Sequence, residues 1–220
     1  MKKRKHHYVW EHYLRAWATD DQIWCRRAGK YFETNTENVG QRRDFYRLKE
    51  LSDVDVAFVE RLISAMGESA HDLARSWIPY FRIFHKMKQD WAASGQSNPE
   101  FESKLDVAIN NMEEELHTAV EGPAVPILAA LRQGDASSLE NDETFAHFAW
   151  YIAAQYMRTP STAQSTAKAV GALAPNFNLD AAWGLLRTIF SSTMGAALYV
   201  RRNNMRLTYL RAEHQQRRVI

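Results

Sequence analysis

From residue 53 onward, apolar side chains recur every three or four positions, the spacing that lines one side of an α-helix. Ser52 or Asp53 offers a side-chain oxygen to cap a first turn, and Val59, Leu62, Ile63, Met66, Ala70, Leu73 and Trp77 continue one stripe. The pattern therefore predicts an amphipathic helix from Asp53 through Trp77, with Pro79 close behind it and a further helical piece over Tyr80 to Trp91. Gly95-Gln96-Ser97-Asn98-Pro99 interrupts the periodicity. A second long stripe runs through Phe101, Leu105, Ala108, Ile109, Met112, Leu116 and Ala119 and stops at Gly122-Pro123. Shorter segments follow at Ala124 to Gln133 and Asp142 to Arg158, the latter ended by Thr159-Pro160, and Asn178 can cap a last helix from Leu179 to about Arg202.

The first fifty residues follow another rhythm. Tyr8 to Ala18, with Val9, Trp10, Tyr13, Leu14 and Trp17, predicts a short aromatic helix. Gln22 to Arg27 and Lys30 to Thr34 flank Ala28-Gly29, a connection of the length that joins paired strands, so a β-hairpin is expected. The polar stretch Asn35 to Arg43 reads as a loop leading to Asp44-Phe45-Tyr46. The expected fold class is mainly α (α+β), a helical bundle with a small N-terminal β-hairpin. The expected organisation is a single domain over 1–220, with a helix and hairpin segment at 1–50, the bundle at 51–202 and a basic tail at 203–220.

A hydrophobic fraction of 45% and a charged fraction of 25% are those of a chain able to bury a core. Cys25 is the only cysteine, which rules out an internal disulfide and a multi-thiolate zinc site and suits a reducing compartment. Lys2, Lys3, Arg4 and Lys5 are followed by His6, His7, Glu11 and His12 where a secretory signal would be apolar, so a cytoplasmic location is expected. Leu179 to Val200 carries Asp180 and Arg187 and reads as a buried helix, with no membrane partner. Charge is uneven: Lys and Arg against Asp and Glu number 12 to 7 over residues 1–50, 7 to 17 over 51–143 and 9 to 2 over 144–220. The basic ends either make a phosphate-attracting face or neutralise the acidic middle.

Glu68-x-x-His71 and Glu114-x-x-His117 have the spacing that supplies two ligands to a di-iron centre in a helical bundle. At about 100° per residue, Glu68, Glu114 and His117 fall away from the apolar stripes of their helices, so both pairs are expected to face water and no metal role is assigned. Two other clusters carry candidate chemistry. Residues 5–15 bring together His6, His7 and His12 with Tyr8, Tyr13, Glu11 and Arg15, and imidazoles that titrate near neutrality suit proton transfer or a metal, or else the run is a solvated basic end. Gln155 and Arg158 lie three residues apart at a helix end, where an amide and a guanidinium can hold a phosphate or carboxylate, or the arginine simply caps carbonyls.

His6-His7-Tyr8-Val9, Tyr13-Leu14-Arg15, the hairpin, Asp44-Phe45-Tyr46, and Gln155 with Arg158-Thr159-Pro160 together resemble an uncharacterised bacterial family known as domain of unknown function 4238. Trp10 and Glu11 stand where that family usually has proline and glutamine, and the Ser-Asp-Asn-Pro segment typical of its C-terminal strands is missing before Ile220; Arg201, Arg202, Arg206, Arg211, Arg217 and Arg218 stand in this final stretch instead. The resemblance implies no established reaction and leaves the cofactor unknown.

P-loop, dinucleotide and nucleophile-elbow motifs are absent. The leading expectation is an enzyme acting on nucleic acid or another phosphorylated ligand, a hydrolase or nuclease, with His7 and His12 catalytic and Arg15, Arg43, Gln155 and Arg158 binding substrate. The alternative is a noncatalytic module with a protein partner, a component of a bacterial defence or toxin-type system, docking through its aromatic N-terminus.

Overall fold

The computed structural model describes residues 1–171, 174, 176–206 and 208. Arg211, Arg217 and Arg218 of the expected basic tail lie outside the described residues. In chain order the elements are β1 (Lys5–His7), α1 (Glu11–Arg15), β2 (Gln22–Arg27), β3 (Lys30–Asn35), β4 (Gln41–Arg43), α2 (Asp53–Ser64), α3 (His71–Ala93), α4 (Pro99–Glu121), α5 (Ala124–Arg132), α6 (Asp142–Met157), α7 (Pro160–Gly171) and α8 (Leu179–Val200). The fold is mainly α, with two small antiparallel two-stranded sheets.

The expected hairpin forms as β2 and β3, with Gln22 opposite Asn35 and Arg27 opposite Lys30. Ala28 and Gly29 both take positive φ (50° and 79°), the backbone that lets a two-residue turn follow the twist of its strands. One expectation nearby is narrowed and another corrected. The short helix expected within Tyr8 to Ala18 forms but spans only the five residues Glu11–Arg15. The Asn35 to Arg43 segment is not a plain loop, because it contains a 3-10 turn at Thr36–Asn38 and then β4, which pairs Lys5 with Arg43 and His7 with Gln41. Gly40 (φ 63°) is required beside this pair, since a Cβ there would stand 2.7 Å from the Val9 Cβ.

The helix expected through Trp77 is broken instead at Gly67, where α2 gives way to a 3-10 turn. Pro79, expected to end a helix, sits inside α3. It is tolerated because it and Arg75, whose carbonyl loses its usual donor, both lie on an exposed face. The other starts follow the sequence: Ser52 and Asp55 form a reciprocal capping box, and Asn98, Asn141 and Asn178 each accept an amide at the start of α4, α6 and α8. α7 was not anticipated.

Val59, Ile63, Ile78, Phe81, Ile109, Leu185 and Ile189 belong to the main core, contributed by α2, α3, α4 and α8. A smaller cluster of Val120, Ala124, Tyr151 and Ala154 receives Trp10. α6 and α8 approach so closely that a Cβ on Gly195 would lie 2.9 Å from the Trp150 Cα. Burying these apolar side chains supplies the main driving force, about 25 cal/mol for each Å² removed from water. Among the described residues no helix is long and apolar enough to cross a membrane.

Charge from the two basic ends is spent on the acidic middle. Lys2 and Arg47 both reach Asp106, Arg158 reaches Glu121, Arg187 reaches Glu113 and Arg202 reaches Asp142. Neutralisation within the fold, rather than one positive face, accounts for these pairs.

Candidate functional site

The segment Asp44-Phe45-Tyr46 leaves β4 through a left-handed residue, Asp44 (φ 52°), a conformation that Asp adopts more readily than most side chains. That turn drives Tyr46 into the protein, where it is fully buried between β1, α4, α6 and α8. His6 meets it on one side: the Tyr46 amide donates to His6 Nδ1 at 2.8 Å, and the His6 Nε2–H donates to the Lys3 carbonyl at 3.1 Å. Burial lowers the His6 pKa. With both nitrogens engaged, His6 is a structural imidazole.

Two buried arginines flank the Tyr46 ring, Arg187 at 4.8 Å and Arg158 at 5.7 Å from its centroid. Arg158 donates to the Tyr46 hydroxyl at 2.9 Å, to Glu121 and to the His7 carbonyl, and the Tyr46 hydroxyl itself donates to that carbonyl at 3.0 Å. Gln155 donates to the same Glu121 oxygen at 3.2 Å. The Gln155 and Arg158 pair therefore does meet the histidine-bearing strand. Arg158, however, is a buried clamp on the His7 backbone and not a free phosphate ligand, which corrects its expected role.

Beside this clamp lies a cavity of about 360 Å³ lined by His7, Glu11, His12, Arg15, Glu114 and Arg158 among others. β1 supplies His7, one turn of α1 supplies Glu11, His12 and Arg15, and α4 supplies Glu114, Thr118 and Glu121, which share a face at spacings of four and three. The His7 ring contacts the Glu37 carbonyl through Nε2 at 3.2 Å. A carbonyl only accepts, so Nε2 carries the hydrogen and Nδ1 is the basic nitrogen. Burial lowers the His7 pKa, with Arg158 and Lys5 acting in the same direction against Glu11, so the ring is neutral at pH 7.

Glu114 is the acid that sequence reasoning missed. Its Oε2 is buried without a hydrogen-bond partner, and burial, aided by Glu121 and Glu113, raises its pKa to about 7 despite Arg158. His117, the other half of the Glu-x-x-His motif, is also buried, and burial followed by Arg158 lowers its pKa to about 4. The expectation that this pair faces water is thus overturned. A helical wheel assumes one buried side, but the polar side of α4 is covered by the start of the chain: Asn111 accepts from the Lys3 amide, and Asn110 donates to the Lys3 carbonyl. The Glu68 side chain is exposed, as expected. Among the described residues no group of three or more His, Cys, Asp and Glu could hold a metal ion.

Arg15 and Glu11 form a pair at 3.1 Å at the cavity mouth, and Arg15 also lies 3.6 Å from Asp21. His12 lines the same cavity, its ring 4.7 Å from that of Trp10. Arg43 does not join them. It projects from β4 towards solvent, 3.6 Å from Asp44, and lines a separate cavity with Arg187.

Behind Tyr46, Arg187 donates to Glu113 through Nε at 2.8 Å and again through an amino group, while Nε2 of His117 stands 3.6 Å from the same carboxylate oxygen. Burial alone would raise the Glu113 pKa, but Arg187 and His117 outweigh it and hold the carboxyl below its usual range. No motif marks Glu113 or Arg187 in the sequence; their only signal is a charge interrupting each buried helix.

No curated protein and no solved structure matches the chain. A family profile described as "Protein of unknown function (DUF4238)" matches residues 5–178, a span that includes β1, the hairpin, Tyr46, Glu114 and Arg158. With most of its length inside that match, the chain belongs to the DUF4238 family.

Proposed function

We propose that the protein is an enzyme that performs general acid–base catalysis in the His7/Glu114 cavity, hydrolysing a nucleic acid or another phosphorylated substrate. The observation that carries the reading is one cavity wall holding a neutral imidazole with a defined basic nitrogen and a carboxyl whose pKa is raised to about 7. Opposed shifts of this kind produce a base and an acid that coexist at neutral pH. Glu11 is matched by Arg15 and Glu121 by Arg158, so the remaining wall is close to neutral and can admit a phosphodiester. His7 Nδ1 takes a proton from water as its oxygen bonds to phosphorus. Glu114 gives its proton to the departing oxygen as the old P–O bond breaks, and solvent then resets both groups. His12 and Arg15 stand at the mouth, where they contact the substrate's charged flank. The single cysteine suits a cytoplasmic setting for this activity.

The test is turnover of RNA and DNA oligonucleotides and 5′-mononucleotides at low salt by the purified chain, with and without divalent metal. His7→Ala and Glu114→Gln are each expected to lower the rate by about 10²–10⁴-fold, the usual contribution of a positioned acid or base. Absence of turnover, or rates unaffected by either substitution, contradicts the proposal.

Trp24, Tyr31 and Phe32 expose their rings on the hairpin, and this aromatic surface favours the second reading, a protein-docking module. Trp10 is not part of that surface, since it packs on Tyr151 with ring centroids 5.5 Å apart.

A further inference from the structure

The larger cavity, about 590 Å³, lies on the far side of Tyr46 and plays no part in the acid–base reading. Its size is that of a small-molecule site. Eight buried side-chain polar atoms have no hydrogen-bond partner among the described residues, and half belong to residues lining this one cavity: Arg187 Nη1, Arg47 Nη1, Trp183 Nε1 and Asp44 Oδ1. Buried polar groups are normally paired, so a concentration of orphans marks a place that a ligand completes. Three of the four are donors and two of these are cationic.

The partners already in place explain which atoms are left over. Glu113 engages Arg187 through Nε and one amino group but not through Nη1. Asp106 takes Nη2 of Arg47 at 2.7 Å, again leaving Nη1. Trp183 is 8% exposed and Arg187 2%, so neither donor finds bulk water. Gly184 keeps the floor open: a Cβ there would stand 2.6 Å from Glu113 Oε2. Arg42 and Arg43 at the rim add exposed positive charge, and Asp44 offers one acceptor. The Lys49–Asp180 ion pair, Gln164 and the Arg187-bound Glu113 complete the polar lining, and the other wall residues are apolar or aromatic, including Phe45, Leu48, Leu51, Phe81 and Ala163.

We propose that this cavity is a binding site for a phosphorylated small molecule with a planar body, of the 5′-mononucleotide class. The arginines and the Trp183 N–H meet the phosphate, which accepts several donors at once, and the aromatic and aliphatic wall covers the flat ring. Asp44 accepts from a hydroxyl or exocyclic amine of the ligand. Charge alone would suit inorganic phosphate, but the apolar lining would then stay uncovered, so the nucleotide is the better occupant. The site stands independently of catalysis at His7.

Isothermal titration calorimetry with the four 5′-mononucleotides tests it, with inorganic phosphate, unphosphorylated nucleosides and a short single-stranded oligonucleotide as comparison ligands. At least one mononucleotide is expected to bind more tightly than phosphate or its own nucleoside. Trp183→Phe, which keeps the ring and removes the N–H, and Arg47→Ala should each weaken it about tenfold or more, since each removes a hydrogen bond to a charged group. The exposed Arg42→Glu should weaken it without touching the core, and His7→Ala should leave the affinity unchanged. The proposal is overturned if no mononucleotide binds, if only the oligonucleotide does, or if Trp183→Phe and Arg42→Glu both bind as the wild type.

Discussion

Arg158 and Arg187 are both almost wholly buried, both lie against Tyr46 and both pair with a glutamate of α4, yet they end in different states. Arg158 spreads its donors over the Tyr46 hydroxyl, Glu121 and the His7 carbonyl. Arg187 gives its bonds to Glu113 alone and keeps Nη1 without a partner. A satisfied buried cation locks its surroundings, whereas an unsatisfied one is poised for something else. The first arginine therefore builds the His7 cavity by holding the strand, and the second belongs to a cavity that lacks a partner for it.

Removing the lock should have the largest effect. Arg158→Met leaves the buried Glu121 without its cation and strips donors from Tyr46 and His7, and should cost about 3–5 kcal/mol in denaturant unfolding. Removing Glu121 as well should recover much of that loss, because the unpaired carboxyl goes with it.

A smaller effect of opposite sign is expected at Glu114. Its folded pKa is raised, so the fold favours the neutral form and loses stability as pH rises from the ordinary glutamate value, 4.5, through about 7. Glu114→Gln removes that penalty and should stabilise the protein by about 2 kcal/mol at pH 8 while having little effect at pH 4.5, even as it slows turnover. Thermal unfolding at the two pH values measures this.

Gly184→Ala sharpens the comparison from the other side. The new methyl displaces Glu113 from Arg187 and should cost about 1–2 kcal/mol, while reducing mononucleotide affinity and sparing the reaction at His7. Arg43→Ala closes the series, with a stability change within about 0.5 kcal/mol because its guanidinium stays largely exposed in its pair with Asp44. Its effect should be confined to the Arg187 cavity, and a loss of turnover in this variant would join the two cavities that the structure separates.

Local signals carried most of the fold. The hairpin was legible because Ala28-Gly29 lies between two β-rich runs, the start of α8 from Asn178 ahead of its periodic stretch, and the start of α4 from the break at Gly95 to Pro99. β1 and β4 were not, because three-residue strands paired across more than thirty positions leave no periodicity to detect. Pro79 misled for another reason: proline usually ends a helix, but its exposed position lets water take over the lost bond.

The candidate site divides the same way. His7, His12, Arg15 and Arg158 drew notice as a dense run of chemical groups and a helix end, and they do line one cavity. Glu114 and His117 were misplaced by angular periodicity, which cannot register that the chain's first residues cover the polar side of α4, and Glu113 carried no signal beyond its charge. Arg43 was grouped with the histidines by charge alone, and β4 carries it to the other cavity.

Carbon-detected NMR titration of the glutamate carboxyls, with Glu114→Gln assigning the resonance, probes the acid–base pair at its source. A Glu114 carboxyl that titrates near 7 beside a His7 ring that titrates below 6.5 is the expected result. A Glu114 that titrates near 4.5 would leave the cavity without its acid and contradict the account.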